Sequence, residues 1–124
     1  MRPGTALAFF AAGSAGAVAR YVVDAVVGDL VEGAFPWGTL AINVTGSLVL
    51  GFLTGLGLTH AMPDGPRLVL GGGFCGAYTT FSTFAFETVR LGEEGAVGEA
   101  LRNAAATLVA GALAAGTGLV LGSL

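Results

Sequence analysis

The sequence predicts an all-α membrane protein with four transmembrane helices, and three observations predict it. Only 10% of its 124 residues are charged and 54% are hydrophobic, whereas a soluble domain carries about 25% charged residues. The charges cluster so that they leave four long apolar stretches. Each stretch approaches the roughly 20 residues a helix needs to cross a hydrocarbon core of about 30 Å. Backbone groups in lipid must be hydrogen-bonded internally, and these stretches lack the alternation of barrel strands, so helices are expected. A single domain follows, with spans at about 5–27, 37–59, 68–88 and 103–124.

The same arithmetic removes several classes of function. Five scattered Arg and no Lys do not make the basic face a nucleic-acid binder needs. One Cys and one His provide neither an internal disulfide nor a structural zinc set.

The first span is uncharged from Thr5 to Ala19 and continues to Val27, interrupted by Arg20 and Asp24. Arg2, the apolar run and Ala15-Gly16-Ala17 also have the pattern of a signal peptide, but the run extends well past Ala17. Arg20 has two readings of equal weight. It pairs with Asp24 one turn on, or it is a fixed cation at a wet mouth that concentrates anions.

The second span lies in the 27 uncharged residues between Glu32 and His60. Thr39, Asn43 and Ser47 are spaced by four and share a helical face. An amide in hydrocarbon must meet a partner helix or an aqueous path. Asn43 is therefore either an interhelical tie or a source of N–H donors for a dehydrated anion. Ser47, Gly51 and Gly55 repeat every four residues, as do Ala114, Gly118 and Gly122 in the fourth span, a pattern that lets membrane helices approach closely.

The third span occupies the 19 uncharged residues between Arg67 and Glu87. Gly71 to Gly73, Gly76, and the run Thr79, Thr80, Ser82 and Thr83 are poor helix formers. They predict a break at mid-membrane, beginning in the Gly71–Gly76 stretch. Freed carbonyls there can ligate a small cation, so the helix end between Gly76 and Thr80 is a candidate ion site, with a packing kink as the alternative. Phe81 and Phe84 share one face. They either fill core or lipid-facing positions or present ring edges, which carry partial positive charge, to an anion. Ser82 and Thr83 add hydroxyl donors beside them, and Glu87 is expected on the solvated rim.

The fourth span runs through the 22 uncharged residues from Asn103 to Leu124, with Asn103 and Thr107 one turn apart. Arg2 and Arg67 fall on one side of the membrane and Arg90 and Arg102 on the other. The positive-inside rule expresses no preference; either the chain lacks orientation bias and can insert both ways and pair antiparallel with itself, or the count is noise from a chain with few cations.

The motifs resemble those of the Fluc family of fluoride channels, also called CrcB proteins. Gly16-Ala17-Val18-Ala19-Arg20-Tyr21 is similar to that family's G-A-x-x-R-Y. Pro36-Trp37-Gly38-Thr39-Leu40-Ala41-Ile42-Asn43 with Gly46 is similar to its P-x-G-T-L-x-x-N-x-x-G. Gly73-Phe74-Cys75-Gly76 followed by Thr79-Thr80-Phe81-Ser82-Thr83-Phe84 is similar to its G-F-C-G-x-x-T-T-F-S-T-F. The resemblance implies a passive fluoride channel in a prokaryotic plasma membrane, built as an antiparallel, dual-topology dimer of this chain with itself or a paralogue. It implies a fluoride pathway containing Asn43, Phe81 and Phe84, with Thr39, Ser82, Thr83, Thr107 and Arg20 assigned to it. It further implies a structural sodium ion at the dimer centre, held by the backbone carbonyls of Gly76 and Thr79. Ala77 and Leu48 depart from common family residues, and Gly111 offers no side-chain donor where the family has a polar track.

The resemblance suits the polar inventory. Fluoride is small and tightly hydrated, and amide, hydroxyl and ring-edge donors can replace its water without the trap a lysine would set. A small multidrug-type exporter is the main alternative, but its usual embedded carboxylate would have to be Asp24, too near the span end. A membrane hydrolase would need a base beside Cys75 or a Ser, and the sole His60 lies at a span boundary.

Overall fold

The computed structural model describes residues 1–124, and every regular element in it is helical. Helix α1 (Pro3–Leu30) starts with Pro at its first position, where the missing N–H costs nothing. At about 1.5 Å per residue, its 28 residues are long enough to span a membrane with tilt. Helix α2 (Trp37–Thr59) returns, helix α3 (residues 64–78) and helix α4 (Phe81–Glu93) together make the third crossing, and helix α5 (Val97–Ser123) closes the bundle. Three of these helices, α1, α2 and α5, are individually long and apolar enough to cross a membrane. The interrupted crossing supplies the fourth layer, as the composition predicts.

The turn between α4 and α5 shows why the chain reverses where it does. Gly95 adopts a positive φ of 84°, its N–H donates to the Gly92 carbonyl, and the Ala96 N–H donates to the Leu91 carbonyl. This double closure satisfies the last carbonyls of α4.

The small-residue repeats of α2 and α5 face one another. A methyl group added to Gly51 would strike the carbonyl of Ala115, one on Gly118 the carbonyl of Leu48, and one on Gly122 the carbonyl of Phe52. Glycine therefore brings the two backbones into direct contact, which is how helices associate where lipid offers no hydrophobic drive. Helix α1 packs on α3 in the same way, with Gly16 buried and its α-carbon against the carbonyl of Phe74. Gly16 is thus an inner position of the bundle, while Ala15 and Ala17 beside it are exposed.

The position of the break corrects the expectation for Gly71 to Gly76. That stretch stays helical, and Leu68–Cys75 forms a π-helix flanked by single α-helical turns. The wider turn lets Gly73 press on Phe9 and Ala12 of α1, where an added methyl would sit 2.8 Å from the Phe9 carbonyl and 3.3 Å from the Ala12 methyl. Packing against α1 offsets the poor helix propensity of glycine. The chain breaks later, at Thr79 and Thr80, both extended. Only 19 residues are buried; Leu7, Phe10, Phe81 and Leu108 are among many large apolar side chains that point outward, as a surface in contact with an apolar phase requires.

Candidate functional site

The break is built from backbone groups that lose their helical partners and one side chain that replaces them. The Thr79 N–H and hydroxyl both donate to the Cys75 carbonyl, at 3.0 and 2.9 Å. Beyond it the Thr80 N–H donates to Asn43 Oδ1 at 2.8 Å, and Asn43 Nδ2 donates to the Thr80 carbonyl at 2.9 Å. The Asn43 amide is therefore the interhelical tie of the two sequence readings, docking α2 onto the break. One of its two N–H groups is left over from this pair. The Thr80 hydroxyl accepts from the Thr83 N–H at 3.2 Å, an N-cap that restarts the helix. No backbone N–H or side chain donates to the Thr79 carbonyl, and the Thr80 N–H that a continuing helix would give to Gly76 is taken by Asn43.

A cavity of about 470 Å³ opens beside this tie, lined in part by Asn43, Thr79, Phe81, Phe84 and Thr107. The Phe81 and Phe84 rings lie 5.8 Å apart at 54°, and Phe81 is 79% exposed, so its edge is free to meet whatever enters. Gly46 lets α2 pack directly on the break, because a methyl there would collide with the Thr79 methyl. On the far wall the Thr107 hydroxyl donates to Asn103 Oδ1 at 3.5 Å. Asn103 is fully buried; it donates to the Thr88 hydroxyl at 2.8 Å, and Thr88 donates to the Phe84 carbonyl at 2.7 Å.

Thr88 was missed by sequence reasoning, and it answers how the polar residues of the last span are satisfied. Its position four residues after Phe84 was the available signal, since a hydroxyl at that spacing reaches back to the preceding turn.

The remaining predicted residues lie elsewhere. A second cavity, about 340 Å³, is lined by Arg20, Asp24, Thr39, Thr80 and Thr83 among others. The ion pairs of the chain are Arg67 with Asp64, Arg90 with Glu94 and Arg102 with Glu99. Arg20 is in none of them, so the i+4 pair with Asp24 does not form. The Thr39 hydroxyl, buried, donates to Glu87. Glu87 is thus half-buried and engaged, which corrects its placement on the solvated rim. Ser82 is exposed, with its hydroxyl 3.4 Å from that of Thr80. The structure gathers Asn43, Phe81, Phe84 and Thr107 around one cavity and Arg20, Thr39 and Thr83 around another, with Thr80 lining both.

Residues 7–119 match the family model described as CrcB-like protein, Camphor Resistance (CrcB). The chain belongs to the CrcB family. Among relatives, it is 48% identical over 124 residues to a protein of Leifsonia xyli subsp. xyli named fluoride-specific ion channel FluC 1, covering all of this chain and 90% of that one. It is 51% identical over 104 residues to the FluC 1 of Streptomyces avermitilis, covering 84% of each. It is 46% identical over 117 residues to that of Nitrobacter hamburgensis, covering 92% of this chain and 93% of the relative. With three helices long and apolar enough to cross a membrane, this CrcB protein is a multi-pass membrane protein.

Proposed function

We propose that this CrcB chain is a fluoride-selective channel, not an enzyme, that lets fluoride leave a prokaryotic cell passively across the plasma membrane. The observation that carries this reading is the cavity at the helix break, lined by Asn43, whose second N–H is spare, and by Thr107, Phe81 and Phe84. These are neutral donors of modest strength, suited to an ion that must be dehydrated on entering and released on leaving. The names of the relatives point the same way. Thr39, Thr83, Ser82 and Arg20 then belong to the approach, where the unpaired Arg20 raises local anion concentration.

Two further parts belong to the same proposal. A structural sodium ion would be held by the carbonyls of Gly76 and Thr79. The residues fit such a role, because the Thr79 carbonyl accepts no hydrogen bond and that of Gly76 loses its Thr80 partner, and hard cations favour carbonyl oxygen. Two copies, or one copy and a paralogue, would meet antiparallel at these breaks. The outward-facing Phe81, with 79% of its surface uncovered, suits a position against a second subunit.

Purified protein in liposomes loaded with fluoride is expected to release it well above the rate of empty liposomes, measured with a fluoride electrode; release at the empty-liposome rate would overturn the channel reading. Reporter fusions to the two termini are expected to show each terminus on both sides of the membrane. A single fixed orientation would exclude the antiparallel homodimer while leaving conduction by a paralogous pair intact.

A further inference from the structure

The two ends of the bundle differ in charge. Thr59 at the end of α2 donates to the Gly122 carbonyl near the end of α5 at 3.4 Å, while Asp24 near the end of α1 abuts Gly38 at the start of α2. One end therefore carries Arg2 and Arg67 against the single carboxylate of Asp64, and the other carries Arg90 and Arg102 against Asp29, Glu32, Glu93, Glu94 and Glu99. A negative headgroup is drawn to the first end and repelled from the second.

At the first end a groove of about 460 Å³ runs between α2 and α3. Its floor is apolar, made by Leu50, Leu53 and Leu68, and Gly71 and Gly72 leave one wall without side chains. Its mouth holds Arg67. Arg67 lies across Gly57, where an added methyl would meet Nη1 and stand 3.0 Å from Cδ and 3.3 Å from Cζ, so stem and guanidinium both rest on α2 at the mouth of the groove. Its Nη2 donates to Asp64 at 2.7 Å, but that carboxylate is 93% exposed and screened by water and salt. The donors on Nε and Nη1 have no protein acceptor.

We propose that this groove is a binding site for one anionic phospholipid, with an acyl chain along Leu50, Leu53 and Leu68 and the phosphate on the free donors of Arg67. An apolar slot ending in a guanidinium at the height of the interface matches both halves of that molecule, since guanidinium groups bind phosphate oxygens through paired N–H donors. Leu50 lines both this groove and the cavity at the break, whereas Arg67 lines only the groove.

Native mass spectrometry of the purified protein with phosphatidylglycerol and phosphatidylcholine of identical chains tests it. Wild type is expected to retain the anionic lipid about fivefold better, the factor for one interfacial Arg. Arg67→Gln is expected to bring the ratio to parity, and Arg90→Gln, at the acidic end, to leave it unchanged. Thr54→Trp, which fills the groove but keeps Arg67, is expected to lower retention of both lipids. Equal effects of Arg67→Gln and Arg90→Gln would mean unspecific annular lipid and overturn the proposal. Displacement of the lipid by soluble glycerol phosphate would reduce the site to a phosphate contact, and conversion of a dimer to monomers by Thr54→Trp would give the groove to a second copy; either result also overturns it.

Discussion

Asn43→Asp is expected to lower fluoride flux by on the order of a hundredfold, with the protein still folded. The substitution keeps the oxygen that accepts from the Thr80 N–H at 2.8 Å and removes the Nδ2 donor that holds the Thr80 carbonyl at 2.9 Å. The tie at the break is therefore weakened on one side only. The larger consequence is electrostatic. A carboxylate at the cavity wall repels an approaching anion by about 4 kcal/mol at 4 Å with an effective dielectric constant near 20, and each 1.4 kcal/mol added to a barrier is about tenfold in rate. Residual hydration of the cavity reduces the full thousandfold. Flux per folded protein in liposomes reads the effect, with size-exclusion behaviour as the check on folding. Undiminished flux would take Asn43 out of the ion path and leave it as a purely structural tie.

That duality of Asn43 shows how far the sequence could be read. The face formed by Thr39, Asn43 and Ser47 followed from spacing alone, and so did the need of a buried amide for a partner. What spacing could not supply was the identity of the partner, because the Thr80 backbone comes from a segment 37 residues away. The four crossings were legible for a simple reason: the charges at the loops are few and the hydrocarbon core sets a fixed length.

The break was misplaced in the glycines for an equally physical reason. Intrinsic propensity condemns Gly71-Gly72-Gly73 as helix, but Gly71 lies against Leu50 and Leu53 of α2 and Gly72 and Gly73 against α1, and the contact of Gly73 with Phe9 and Ala12 exists only once the bundle has formed. Thr79 and Thr80 have no such compensation. Their N–H groups and the Thr80 carbonyl are instead satisfied by the Cys75 carbonyl and the Asn43 amide, so the break settles where those partners exist. Glu87 was misread for a related reason. A carboxylate near a span end is ordinarily solvated, and nothing local announces the buried Thr39 hydroxyl that reaches it from α2.

Gly118→Ala and Gly116→Ala are expected to have opposite effects on stability, although they are the same change two residues apart in one helix. At Gly116 an added methyl finds nothing within 4 Å, so the substitution brings only the helix preference of Ala over Gly, up to about 1 kcal/mol. At Gly118 the methyl meets the Leu48 carbonyl and stands 2.8 Å from the Phe52 amide nitrogen. Both are backbone atoms of α2, which cannot turn aside as a side chain would. The helices must separate along the whole seam that Gly51, Gly55 and Gly122 also serve, forfeiting close-packed contacts that each depend on distances near 4 Å. Overpacking of this kind costs about 1–3 kcal/mol, which outweighs the gain in propensity. Thermal unfolding in detergent should therefore show Gly116→Ala at or above wild type and Gly118→Ala clearly below it. Because α5 carries Thr107 to the cavity, the separation should also cut fluoride flux in Gly118→Ala and not in Gly116→Ala. Equal stability of the two variants would mean that the seam between α2 and α5 is looser than direct backbone contact, and the distance of Thr107 from Asn43 across the cavity would lose its structural basis.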